Sequence, residues 1–170
     1  MSKVNEQQQI INKTVDTIEA SIKAMVVLFK NIDERLQQFT SIEQINKKEE
    51  IIIALQNESV RLEVIINKLV AASDDTMKRI LKLPIGNDQC QFQHYHHQCE
   101  MIESIAQSYF FEWMIRDSLI QQLNHSTSDQ FIQQHLDSFV QYNNSLTIQT
   151  QLDILKTCRS FSGLANRNLR

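Results

Sequence analysis

The chain has 170 residues but only two Gly and one Pro, so the turn chemistry that a sheet of many hairpins needs is nearly absent. Its length suits one helical domain with a real core. The formal net charge of −3 is unevenly spread: residues 1–83 balance 12 basic against 12 acidic side chains, whereas 84–155 set Arg116 alone against Asp88, Glu100, Glu103, Glu112, Asp117, Asp129, Asp137 and Asp153. An acidic second half repels a phosphate backbone and disfavours extended nucleic-acid binding. Only the basic end, with Lys156, Arg159, Arg167 and Arg170, has the sign to touch one.

Three cysteines, Cys90, Cys99 and Cys158, make an odd count, and Met1–Gln9 is polar rather than leader-like. Both fit free thiols in a reducing cytoplasm. The longest apolar run, Ala24–Phe29, is far short of the ~20 residues a membrane span needs.

The first helix is expected from about Asn5 to Phe39. Ile11, Val15, Ile18, Ile22, Met25, Phe29, Ile32, Leu36 and Phe39 alternate spacings of four and three, the seam of a heptad repeat. Within it, Ala24–Phe29 (AMVVLF) is apolar all round, and Val27 falls roughly opposite Met25 and Phe29. Such a residue either packs between neighbours or offers a docking surface. At Phe39–Gln44 the apolar phase breaks. Thr40 with Glu43, or Ser41 with Gln44, has capping-box spacing, and Phe39 is placed as the staple residue.

The second helix is expected from Ile42 to Lys82, with Ile45, Ile52, Leu55, Ser59, Leu62, Ile66 and Leu69 on its seam. Leu83-Pro84-Ile85-Gly86-Asn87 then divides the chain. Asp88 is the expected N-cap of a third helix whose seam is Phe92, Tyr95, Cys99, Ile102, Ala106, Tyr109, Trp113 and Ile120, ending near Leu123. Asn124–Ser128 reads as a polar turn, with Thr127 or Ser128 capping the next helix. There Ile132, Leu136, Phe139 and Leu146 give way to a drifting phase through Ile148, Leu152, Leu155 and Cys158. Asn143-Asn144-Ser145 marks a candidate kink or break, and Gly163 a candidate C′ residue. The whole predicts an all-α fold: an antiparallel up-down-up-down bundle of four long helices in one domain, with hairpins 5–83 and 88–162, a link at 84–87 and a frayed tail at 163–170.

Two stretches are the candidates for function. Cys90, His94, His97 and Met101 are spaced 4, 3, 4 and share a helical face turned away from Phe92, Tyr95, Cys99 and Ile102. That suits a surface zinc or copper site, or an ordinary wet face; neither Cys-x-x-Cys nor HExxH is present. Tyr109–Ile120 (YFFEWMIRDSLI) is richer. It sets Tyr109, Trp113 and Ile120 on the seam, with Phe111, Ile115 and Leu119 on the outer face. Aromatics, Met and Arg together are the composition of an interface centre, so Phe111, Trp113, Met114, Ile115, Arg116 and Leu119, with Val27, are the expected partner-binding residues. Glu112 and Arg116 form an i,i+4 pair with the spacing to edge that patch, worth little if exposed. No glycine-rich phosphate loop, nucleophile elbow or Glu-x-x-His pair is present, so neither catalysis nor a cofactor is expected.

The segment Ser41–Ile66 (SIEQINKKEEIIIALQNESVRLEVII) is similar to the helical hairpin of bacterial flagellar export chaperones. The likeness covers about a third of the chain, does not extend to that family's chaperone region and transfers no site residue. The residues point first to a non-enzymatic protein-interaction module (an adaptor, small chaperone or assembly subunit) that binds a partner helix or a second copy of itself. The alternative is a metal-binding or sensory bundle using Cys90, His94 and His97. A third is a nucleic-acid accessory factor acting through Arg159, Arg167 and Arg170.

Overall fold

The computed structural model describes residues 3–82, 89–142 and 145–165, with side chains described for 6–82, 92–138 and 148–159. These residues form five helices: α1 (Lys3–Thr40), α2 (Ile45–Lys82), α3 (Gln89–Gln122), α4 (Asp129–Tyr142) and α5 (Ser145–Ala165). No strand occurs among the described residues, so the chain is all-α. The fourth stretch, expected as a helix with a candidate kink or break at Asn143-Asn144-Ser145, is two helices, one ending at Tyr142 and the next starting at Ser145. Asn143 and Asn144, the expected break, lie outside the described residues, as do the divider Leu83–Asn87 and the expected cap Asp88. Gly163 lies within α5 instead of ending it, and no described Gly adopts positive φ.

The chain forms two compact units, and each draws on α1, α2 and α3. One comprises Met1–Ala20, Lys68–Ser108 and Ser145–Arg170. Its core contains Ile10, Ile11, Val15 and Ile18 of α1, Leu69 and Ile80 of α2, Tyr95, Ile102 and Ile105 of α3, and Leu152 and Leu155 of α5. The Thr14 and Thr76 hydroxyls share a buried hydrogen bond of 2.5 Å, which joins α1 to α2 without a charge. Gln151 Nε2 donates to Ser104 Oγ at 3.2 Å, and Lys156 Nζ meets Glu19 Oε1 at 2.7 Å.

The other unit comprises Ser21–Asn67 and Tyr109–Asn144. Met25, Phe29, Ile32, Leu36 and Phe39 of α1 are buried in it with Leu55, Leu62 and Ile66 of α2, Leu119 and Ile120 of α3, and Ile132 and Leu136 of α4. Of the nine heptad positions of α1, all are buried except Ile22, which is half-buried. Each such Ile or Leu contributes about 2 kcal/mol when fully removed from water.

The buried line of α2 differs from the expected seam at its start. Ile45 is exposed, being the first helical residue, and Ile51 is buried where Ile52 was expected. Ile51 lies about 20° from Leu62 around the helix, Ile52 about 80°. Beyond Leu69 the line continues through Ser73, Thr76 and Ile80.

The α1–α2 turn also departs from expectation. The Thr40 hydroxyl donates to the Gln37 carbonyl at 2.7 Å and that of Ser41 to Gln38 at 2.8 Å. Both close the last turn of α1, whose carbonyls have no helical partner, and do not cap α2. Lys48 Nζ lies 4.8 Å from the centre of the buried Phe39 ring, an additional tie across the turn. At the start of α4, Ser128 acts as the N-cap: its Oγ accepts from the Phe131 N–H at 3.3 Å. Thr127 instead accepts from the Asn124 N–H at 2.9 Å and so closes the preceding turn.

Candidate interaction surface

In the second unit, α3 buries a polar network on one side and exposes apolar side chains on the other. Arg116 is only 1% exposed. Its Nε and Nη2 donate to Asp33 Oδ1 and Oδ2 at 3.1 and 3.2 Å, a two-pronged pairing with α1. Its Nη1 reaches the Glu112 carbonyl oxygen at 3.5 Å and lies 3.8 Å from Glu112 Oε2. The guanidinium sits 4.5 Å from the centre of the Phe29 ring, which stacks on Tyr109 at 6.4 Å. Beside this, Trp113 Nε1 donates to Ser59 Oγ at 3.2 Å, and Ser59 Oγ donates to Asp117 Oδ1 at 2.6 Å.

The Glu112–Arg116 pair is therefore buried and is not the exposed edge that its spacing suggested. Burial pushes the Glu112 carboxyl above the ordinary range; Arg116 opposes that shift and Asp33 adds to it. Burial, with Glu112 nearby, pushes the Tyr109 phenol up to about 12. A folded-state pKa above the unfolded one means that the folded protein holds more protons between the two values. Stability from this group is thus complete below the ordinary carboxylate pKa and is lost as pH rises through the raised one. Glu112→Gln is expected to stabilise the protein at neutral pH, with the gain shrinking on acidification. Urea midpoints at several pH values check this; a gain independent of pH would contradict it.

The expected partner residues separate accordingly. Phe111 and Met114 are exposed, Trp113 and Ile115 half-buried, and Arg116 and Leu119 buried. Leu119 lies about 60° around the helix from Arg116, inside the buried arc and not on the outer face.

Val27 is 57% exposed, so it is not an interior position. With Ala24, Leu28 and Asn31 of α1 it lines a groove of about 550 Å³, faced on α2 by Val60, Arg61, Val64 and Ile65. Val60 is 58% and Val64 50% exposed. Three β-branched residues held open on two helices have little rotamer freedom left to lose when a partner covers them. Arg61 is the one charged residue lining the groove, and it makes no ion pair among the described residues. The chemistry offered is an apolar trough with one cation at its side, matched to the apolar stripe of a helix. Val60 and Val64 were not among the residues expected to bind; their four-residue spacing on the solvent side of the Leu62 seam was the available signal.

The Cys/His face is only partly described. His94 and His97 are exposed, Met101 is buried, and the Cys90 side chain lies outside the described residues. Met101 departs from the expected outward stripe because the buried arc of α3 is wide there, taking in Gln98, Cys99, Ile102 and Ile105. The Nδ1 atoms of His96 and His97 each lie 3.4 Å from the Glu100 carboxylate. No group of three or more His, Cys, Asp or Glu is placed to hold a metal ion among the described residues. In the first unit Arg159 pairs with Asp16, while Arg167 and Arg170 lie outside the described residues. No helix among the described residues is long and apolar enough to cross a membrane.

Comparison with protein-family models, with curated proteins and with solved structures finds no match to this chain.

Proposed function

We propose that this protein is a non-enzymatic interaction module that docks a helix on the exposed face of α1 and α2. The observation that carries this is the Val27–Val60–Val64 groove: apolar residues at least half exposed on both walls, above a seam that is otherwise closed. Exposed apolar residues gathered in one place mark binding surfaces, whereas scattered ones need no explanation.

We read the scaffold of each unit, taken by itself, as an antiparallel up-down-up-down arrangement whose fourth helix is α5 in the first unit and α4 in the second. Pairings inside each unit support it. Within the second unit, Phe29 and Asp33 of α1 meet Tyr109 and Arg116 of α3, with numbers rising together, as for parallel helices. Arg35 meets Glu58 while the earlier α1 residues of the groove face Val60–Ile65, with numbers running in opposite senses. Within the first unit, Asp16 and Glu19 of α1 meet Arg159 and Lys156 of α5, again in opposite senses. A cytoplasmic location agrees with the free thiols of Cys99 and Cys158.

A photo-crosslinking residue at position 27, in the full chain expressed in its native host, tests the docking role. The expected result is a discrete adduct that disappears when Val60→Asp is added. Crosslinking no stronger than from exposed Gln133 of α4 would overturn it.

A further inference from the structure

A second heptad line runs along α2 outside its core seam. Ile53, Asn57, Val60, Val64 and Asn67 follow at spacings of 4, 3, 4, 3, and all five are exposed. On an ideal helix they fall within about 80° of one another, centred opposite Leu62. One helix thus carries two seams: Leu55, Leu62 and Ile66 turned to the core, and this one turned to solvent.

We propose that the outer line is the seam of a parallel homodimer, α2 against α2 of a second copy. The proposal rests on the reading of this face as a docking surface and names its occupant. In heptad notation the five residues occupy d, a, d, a and d. In a parallel pair each layer then meets its own kind: Ile53 on Ile53, Val60 on Val60, Val64 on Val64. Asn57 and Asn67 meet the same amides of the second copy, where each can both donate and accept. An unrelated helix would need amides at both of those layers or leave the asparagines covered and unbonded. A polar Asn at an a position is also the device that fixes register and chain number in two-stranded coiled coils.

The flanking charges choose the direction. In a parallel pair, each g residue faces the e residue five places on in the other chain. That sets Gln56 against Arg61 and Glu63 against Lys68, with no like charges opposed. An antiparallel pair sets e against e and g against g, bringing Arg61 toward Arg61 and Glu63 toward Glu63. Arg61, Glu63 and Lys68 make no ion pair among the described residues, so all three are available to a second chain.

The test is the mass of the full chain by sedimentation equilibrium over a wide concentration range, together with a disulfide trap. The expected result is a dimer whose dissociation constant rises at least about tenfold with Val60→Asp, because a carboxylate is then buried in the seam without a partner, while the circular-dichroism spectrum stays helical. In a chain with Cys90→Ser and Cys158→Ser, Asn57→Cys is expected to oxidise to a covalent dimer. A monomer at every concentration, a dimer indifferent to Val60→Asp, or trapping only when an Asn57→Cys chain is mixed with an Asn67→Cys chain would each overturn the parallel dimer. The wider docking role fails separately: a monomer that still gives a position-27 adduct with another protein overturns only the dimer, and a monomer with no adduct overturns both.

Discussion

Arg116→Met is expected to lower the stability of the protein by about 3 kcal/mol, the middle of the usual loss when one partner of a buried ion pair is removed. The reasoning begins with the surroundings of the guanidinium. Arg116 is 1% exposed and is the only described cation reaching Asp33 and Glu112, which both lie on its side of α3. Taking it away leaves a buried carboxyl at Glu112 with no cation, an Asp33 that keeps only partial access to water, and a Phe29 ring without its capping charge. Methionine restores most of the volume, so the loss reports the charge and not a cavity. Adding Asp33→Leu and Glu112→Gln together is expected to recover a large part of it, since no stranded charge then remains. Urea unfolding of both variants checks this; a loss below about 1 kcal/mol for Arg116→Met would show that the pair is not buried as described.

Two residues apart on α2, Leu62→Ala and Val64→Ser are expected to behave oppositely. Leu62 is fully buried, and its truncation is expected to cost about 3 kcal/mol through lost burial and the cavity left behind. Val64 is half exposed, so in dilute monomeric protein Val64→Ser is expected to change stability by no more than about 0.5 kcal/mol. Thermal or urea unfolding of both at low concentration is the check. Equal losses would mean that α2 has one buried face, wider than described, and no free one.

The heptad of α1 was legible because nine apolar residues repeat without interruption, and only a helix buries such a stripe. The break of α2 from α1 was legible as a change of phase at Thr40–Gln44, although the hydroxyls there turn back to α1. Ser59 was legible as a seam residue, but the partners of the polar core members were not. Ser59, Ser73 and Thr76 stand on the α2 seam, and sequence alone does not say which partners will satisfy them. Ser59 is satisfied by Trp113 and Asp117, and Thr76 by Thr14, all distant in sequence. Arg116 misled for the same reason. A residue that carries a charge on a long apolar stem suits an interface edge and a buried pair equally, and the choice was made by Asp33, 83 residues away. Val27 was recognised as facing away from its seam, but its exposure depends on α1 and α2 leaving a trough between them, which no single-helix periodicity contains. Gln98 shows the remaining gap: it is buried on α3 with neither amide atom hydrogen-bonded among the described residues, and nothing in its neighbours' spacing announced that.

The most direct measurement of whether the α1–α2 face docks a helix is an alkylation footprint of a Val60→Cys chain, taken on dilute purified protein and again inside the native host. Rapid modification in the dilute protein and strong protection in the cell, with exposed Gln133→Cys equally reactive in both, is the predicted result. Equal reactivity at position 60 in both settings would contradict the docking surface.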